Sequence, residues 1–287
     1  MNIIITGLIT GSMLALLAIS FSLIFGVARI VNIAHTAFYM VAAYCIFSLS
    51  CKFGLNPVVG MMIAVVVVTV FGLLAYKFLI DPIREHEAAV LIATIALAMI
   101  FQEAVMLIFT GDYRTVSALI QGYFIVLGVK VFYQQVLTFG VVLVVLALLW
   151  FLLMKTKLGL AIRSTAEDRE VANLMGMNDS RVAMTAMGVS VGLAAITGAV
   201  IAPLTILSPF MWTHPLIMVM AVVVLGGMGS IKGSFAGAYI LGFAEALVVF
   251  LIPQGAFLKG SVALSIMILV LLIRPEGLFG IAFEEER

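Results

Sequence analysis

The chain offers few side chains that could do chemistry, and most of those lie in apolar surroundings. Asn32, His35 and Thr36 fall close together in a stretch from Ile30 to Cys51 that contains no Asp, Glu, Lys or Arg. Glu245 interrupts an otherwise uncharged run from Gly233 to Leu258. A charged group at mid-depth in a bilayer costs about 2.5 to 3.5 kcal/mol on insertion scales, so such residues carry a reason for being there. For Asn32, His35 and Thr36 two readings stand side by side. They line a polar path or its gate, or they form a satisfied cluster that breaks or caps a helix. On spacing, Asn32 and His35 would share one face of a helix beginning just after Arg29. Glu245 reads as a tie between helices, to His35 or an interhelical hydroxyl, or as a holder of a substrate amine. Catalysis is not expected. No HExxH or serine–histidine arrangement occurs, and His35, His86 and His214 fall in different settings, so neither a metal site nor a cofactor is implied. A phosphate loop is missing too, because Lys232 in the glycine-rich Gly226 to Gly233 lacks the required preceding Gly. Any energy must come from a partner or an ion gradient.

A second group of polar residues is concentrated in one loop. Residues 155–181 hold five basic and four acidic side chains. Within it, Ser164 or Thr165 can cap a helix whose first turn carries Glu167 and Asp168, where carboxylates suit the helix dipole. Ala166, Val171, Ala172, Leu174 and Met175 supply a small apolar face, and Gly176 supplies a stop. This short amphipathic helix is either a connector lying in the interface or a helix offered to a partner.

The elements that must position these residues are membrane helices. The chain is 64% apolar and 10% charged, against about 25% charged in a typical soluble domain. Residues 182–231 contain no charge at all, and one crossing needs about 20 apolar residues. Further uncharged runs are Met1 to Ala28, Ile30 to Cys51, Phe53 to Tyr76 and Val131 to Met154. They are continuously apolar and do not alternate, which points to helices. The expected fold is all-α, a single polytopic bundle over 1–287 with eight to ten membrane segments. Nine crossings fit best, at 3–27, 32–51, 57–77, 88–110, 133–154, 182–207, 212–228, 234–252 and 259–273. The first run lacks a basic start and is too long for a cleaved leader, so it reads as a retained helix. A cytoplasmic C-terminus puts eleven Lys and Arg inside and leaves Lys52, Arg114, Lys130 and Lys259 outside, as the positive-inside bias requires. Small residues four apart (Gly7 and Gly11; Ala194, Gly198 and Ala202; Gly233 and Gly237) predict close helix packing. The net charge of +1 gives no reason to expect nucleic acid. Cys45 and Cys51 read as buried free thiols.

Three stretches also carry a family resemblance. G-L-I-T-G-S-M-L-A-L-L-A-I-S-F-S-L-I-F-G (Gly7 to Gly26) with R-I-V-N-I-A-H-T-A-F-Y-M-V-A-A-Y (Arg29 to Tyr44) resembles GLxxGSxYALxAxGxxLIxG followed by INFAHGxxYMxGAY. G-L-A-I-R-S-T-A-E-D-R-E-V-A-N-L-M-G-M-N (Gly159 to Asn178) resembles a coupling loop. V-L-G-G-M-G-S-I-K-G-S-F-A-G-A-Y-I-L-G-F-A-E-A-L (Val224 to Leu247) and the closing R-P-E-G-L-F-G resemble the LGGxGSxxGxxxGxxxxGxxE block and its RPxGLFG ending. In this order they resemble the permeases of branched-chain amino acid ABC transporters over nearly the whole chain. The resemblance implies a subunit in the lipid of the cell (inner) membrane, paired with a second homologous permease. It further implies cytoplasmic ABC ATPase subunits and an extracytoplasmic solute-binding protein as partners. On the matching positions, the coupling loop would use Arg163, Ala166, Glu167, Asp168, Ala172, Leu174 and Gly176. Thr36 and Ala37 stand where the family commonly has Gly and then an acid, which removes one partner for an ammonium group. Permeases for urea and short amides belong to the same family and form the alternative substrate class. An ion-coupled secondary transporter is a different class, and it would need several intramembrane carboxylates where only Glu245 is deep.

Overall fold

In the computed structural model, residues 2–126 and 129–280 are described. Eleven helices and one hairpin follow in order among these residues. Helix α1 (Asn2–Ala28) ends where Arg29 takes a left-handed conformation with φ 54°, and α2 (His35–Phe47) continues into one wider π-type turn, Ser48–Lys52. Next come α3 (Pro57–Ala75), extended through Tyr76–Ile80, and α4 (Glu87–Phe109). The antiparallel strands β1 (Tyr123–Val126) and β2 (Val129–Phe132) precede α5 (Tyr133–Lys155). Two short helices, α6 (Lys157–Glu167) and α7 (Arg169–Leu174), lead into α8 (Asp179–Ile201). The chain then forms α9 (Thr213–Gly226), α10 (Ile231–Leu251) and α11 (Lys259–Ile273).

This is a polytopic helical bundle. Among the described residues, six helices are long and apolar enough to cross a membrane, those containing α1, α3, α4, α5, α8 and α10. The remaining three expected crossings are shorter: α2 needs its π-type turn to lengthen it, and α9 and α11 have 14 and 15 residues. The hairpin departs from the all-helical expectation. It lies between α4 and α5 and reaches into the start of the Val131 to Met154 run only at Val131 and Phe132, at the head of the α5 crossing, where water can satisfy the open strand edges that hydrocarbon cannot.

The core is built where backbones approach closely. Helix α1 packs along α10, and α8 packs against α1, α2 and α3. A methyl group added at Gly242 would meet the Gly11 backbone at 2.5 Å, and one at Gly7 would strike the Phe243 ring. Gly198 lies equally close to the Tyr39 carbonyl, and Gly72 to Val191. Lipid tails are as apolar as the helices, so this close fit supplies association that a hydrophobic effect would supply in water. Helices α3, α4, α5 and α11 keep broad apolar faces exposed, such as Val66, Ile100, Leu148 and Leu272, as lipid-facing surfaces do.

Candidate functional site

The polar residues of the first two crossings gather where α1, α2 and α8 meet. Helix α2 begins at His35, so Asn32 lies in the linker ahead of it and does not share a helix face with His35. Instead the Asn32 carbonyl accepts from the His35 amide at 3.2 Å. The left-handed break at Arg29 is the physical reason, since it ends α1 and leaves residues 29–34 to turn the chain. Asn32, His35 and Thr36 are all fully buried. The His35 ring lies between two serines, with Nε2 at 2.9 Å from Ser20 Oγ and Nδ1 at 3.4 Å from Ser190 Oγ. Ser190 also donates to the Ser20 carbonyl at 2.7 Å, and the Phe21 ring stands edge-on to the imidazole. One ring therefore joins α1, α2 and α8. Around it, Asn32 donates to Met187 Sδ at 3.7 Å, while Asn32 Oδ1, Thr36 Oγ1 and Ser22 Oγ have no partner among the described residues. Ser20 and Ser190 complete the cluster. Neither stood out in the sequence, because serine is unremarkable in membrane helices and Ser190 is remote in the chain.

Glu245 is buried in α10, two turns before its end, and ties that helix to α11. Its Oε1 lies 2.8 Å from Lys259 Nζ. Neither His35 nor a hydroxyl is its partner. Six residues separate Glu245 from Leu251, about 9 Å at 1.5 Å per residue, which puts it toward one end of the crossing. His214 lies at the start of α9. On α4, Gln102 accepts from Trp212 Nε1 at 3.0 Å and donates to the exposed Glu103 at 3.3 Å.

The polar loop forms two helices at an elbow, not one helix started by Ser164 or Thr165. Thr156 caps α6 by accepting from the Gly159 amide at 3.1 Å. Gly159 is needed there because a side chain would collide with the Leu152 and Leu153 carbonyls. Asp168 ends α6 and also caps α7, accepting from the Val171 amide at 3.0 Å. Gly176, at φ 84°, closes α7 with paired bonds: its amide donates to Asn173 and the Met177 amide donates to Ala172. These two bonds make a Schellman stop. Ala172 faces inward, while Arg163, Glu167, Val171, Leu174 and Met175 are exposed, with Leu174 at 87% and Met175 at 76%. Ala166 rests near Gly26 at the end of α1, which the turn at Gly229 also approaches.

An ion network fastens this loop to the bundle. Asp179 Oδ2 accepts from Arg169 through Nε at 2.7 Å and through Nη2, and it lies 3.2 Å from Arg84 Nη2. Ser180 donates to Asp81, which also pairs with Arg84 at 3.6 Å. Partial burial works against the Arg84 charge, and the Asp179 and Asp81 carboxylates outweigh it, so its pKa is raised. The sequence showed these residues only as loop charges, since the network joins the α3–α4 turn to a segment far along the chain. Among the described residues no group of His, Cys, Asp and Glu could hold a metal ion.

Comparison with known proteins adds a functional frame. A family model described as the permease component of branched-chain amino acid transport systems matches residues 3–272. The chain is 31% identical to the high-affinity branched-chain amino acid transport system permease protein BraD of Pseudomonas aeruginosa, across 96% of this chain and 94% of that one. It is 27% identical to the corresponding permease LivH of Escherichia coli, over 96% and 93%. A probable LivH of Methanocaldococcus jannaschii is 28% identical over 97% and 92%. Among solved structures, PsaBC from Streptococcus pneumoniae in complex with Fab shares the fold, with a TM-score of 0.53, 17% identity and coverage of 96% and 93%. A glycine-packed bundle of apolar helices and a match running almost end to end agree: this chain is a multi-pass membrane protein belonging to the branched-chain amino acid transport permease family.

Proposed function

We propose that the chain forms half of the translocation path of an ATP-driven importer for branched-chain amino acids in the cell (inner) membrane. A second, homologous permease completes the path, and an extracytoplasmic binding protein delivers the solute. Cytoplasmic ATPases dock on α6 and α7. The observation that carries this reading is the tip of α7. Val171, Leu174 and Met175 are exposed on a helix capped at both ends and pinned by Arg169 and Asp179. Exposed apolar side chains on a rigid, charged mount suit docking into a groove of a partner. Closure of the ATPases pulls the α6–α7 elbow. The Asp179–Arg84 network passes this motion to the α3–α4 turn, and Ala166 passes it to α1. Asn32, His35, Thr36 and Glu245 are the path candidates, set in a mostly apolar lining that suits passage without tight holding.

The test is uptake by the reconstituted complex, with labelled leucine against labelled urea. Leucine uptake that needs ATP supports the reading, and urea uptake moves the substrate to the alternative class. Reversing Glu167→Lys and Asp168→Lys together removes uptake while leaving the permease in the membrane. Uptake that persists with no ATPase bound would overturn the assignment.

A further inference from the structure

A cleft of about 440 Å³ opens between the outer halves of α2, α3 and α4. Val41, Cys45, Ile63, Val67, Ala104 and Val105 give it an almost wholly apolar wall. It exists because α4 packs on α2 and meets the end of α3 near their connecting turn, so the two helices diverge above it. Its floor is closed by aromatic rings, Phe101 against Phe38 at 5.2 Å and against Phe71 at 5.8 Å. The mouth is different. Lys52 Nζ stands 4.8 Å over the Phe109 ring, and Arg114 lies 6.0 Å from the Phe47 ring. Arg114 is held there by a two-way backbone bridge to Leu207. Tyr44 lines the cleft and is 2% exposed, yet its hydroxyl has no hydrogen-bond partner among the described residues, and neither has Arg114 Nε. Two cations face one carboxylate at this mouth, since Asp112 pairs with Arg114 at 3.2 Å.

We propose that the cleft holds one acyl chain of an anionic phospholipid whose phosphate sits between Lys52 and Arg114. The wall is apolar enough for a hydrocarbon tail, and the mouth offers an uncompensated positive charge. Basic pockets between membrane helices bind lipid headgroups by this combination. A helix about 10 Å across does not fit a space of this size, which argues against a second copy as the occupant.

The test uses the full chain in phosphatidylcholine nanodiscs containing a trace of phosphatidylglycerol with a photoactivatable group in its acyl chain. Adducts are expected on peptides from α2, α3 and α4. Ala104→Phe, which fills the cleft, should lower their yield about tenfold. Lys52→Glu, at an exposed position that folding tolerates, should lower the yield for the phosphatidylglycerol probe and leave that of a phosphatidylcholine probe unchanged. Adducts spread over α5 and α11 in proportion to their exposure would overturn the proposal. So would a yield unchanged in both variants, or efficient disulfide formation between two copies through Ile63→Cys.

Discussion

At the scale of single residues, His35 and Asp168 each hold more than one element. Removing the His35 ring leaves Ser20 and Ser190 facing a void. His35→Ala should therefore destabilise the protein by about 2 kcal/mol, read as a lower Tm in detergent. If His35 serves only as a tie, uptake per folded molecule stays normal. If it also guides solute, His35→Gln keeps the fold and still slows uptake. Asp168 separates charge from geometry in the loop proposed to dock the ATPase. Asp168→Ala removes the cap on α7 and should cost about 1 kcal/mol of local stability, while Asp168→Asn keeps an acceptor and costs little. ATPase co-purification should thus fall with Asp168→Ala and survive Asp168→Asn. Residue identity alone flagged His35, because a lone imidazole in an uncharged run is conspicuous. It could not show Ser190 as a partner, nor Lys259 as the partner of Glu245, since those pairings depend on how distant helices are placed. The spacing predicts that both Cys45 and Cys51 are buried, yet Cys45 is only half-buried and Cys51 departs further. It is exposed, on the turn that ends the second apolar run.

At the scale of elements, the uncharged runs mark the helices well, and the small-residue pairs mark where they touch. Gly226 and Gly233 are the tightest case: a methyl group on Gly233 would sit 1.9 Å from the Gly226 carbonyl oxygen. Gly233→Val should push α9 from α10 and give a protein that aggregates on size-exclusion chromatography, whereas Gly260→Val, with open space around it, should not. The loop of residues 155–181 was legible as a short amphipathic helix but not as an elbow. Ser164 and Thr165 are good cap residues, yet Thr156 starts the helix earlier and Asp168 starts the next one later. Local preference identified acceptable caps, and tertiary packing around Gly159 chose among them. The hairpin Tyr123–Phe132 was hidden for a related reason. Its strands are short, and nothing in their apolar composition separates them from a helix end.

At the scale of the whole molecule, orientation decides whether the elbow can meet a motor. A cysteine at Leu174 should react with a membrane-impermeant maleimide only from the cytoplasmic side, and one at Tyr113 only from the other. The opposite pattern would overturn the proposed docking, because it separates the elbow from ATP. The same face carries one more arrangement. The tail after α11 runs back against the α9–α10 turn, where the Leu278 amide donates to Leu225 at 2.8 Å and the Phe279 amide to Gly226 at 3.0 Å. That turn also contains Gly229, which packs on Gly26 at the end of α1, the residue that Ala166 of the elbow also approaches. The tail thus acts as a bracket beneath the hinge of the lever. On the proposed docking, a chain cut after Glu276 should still insert and still co-purify with an ATPase, but ATP-dependent uptake should fall because slack at that anchorage absorbs the stroke.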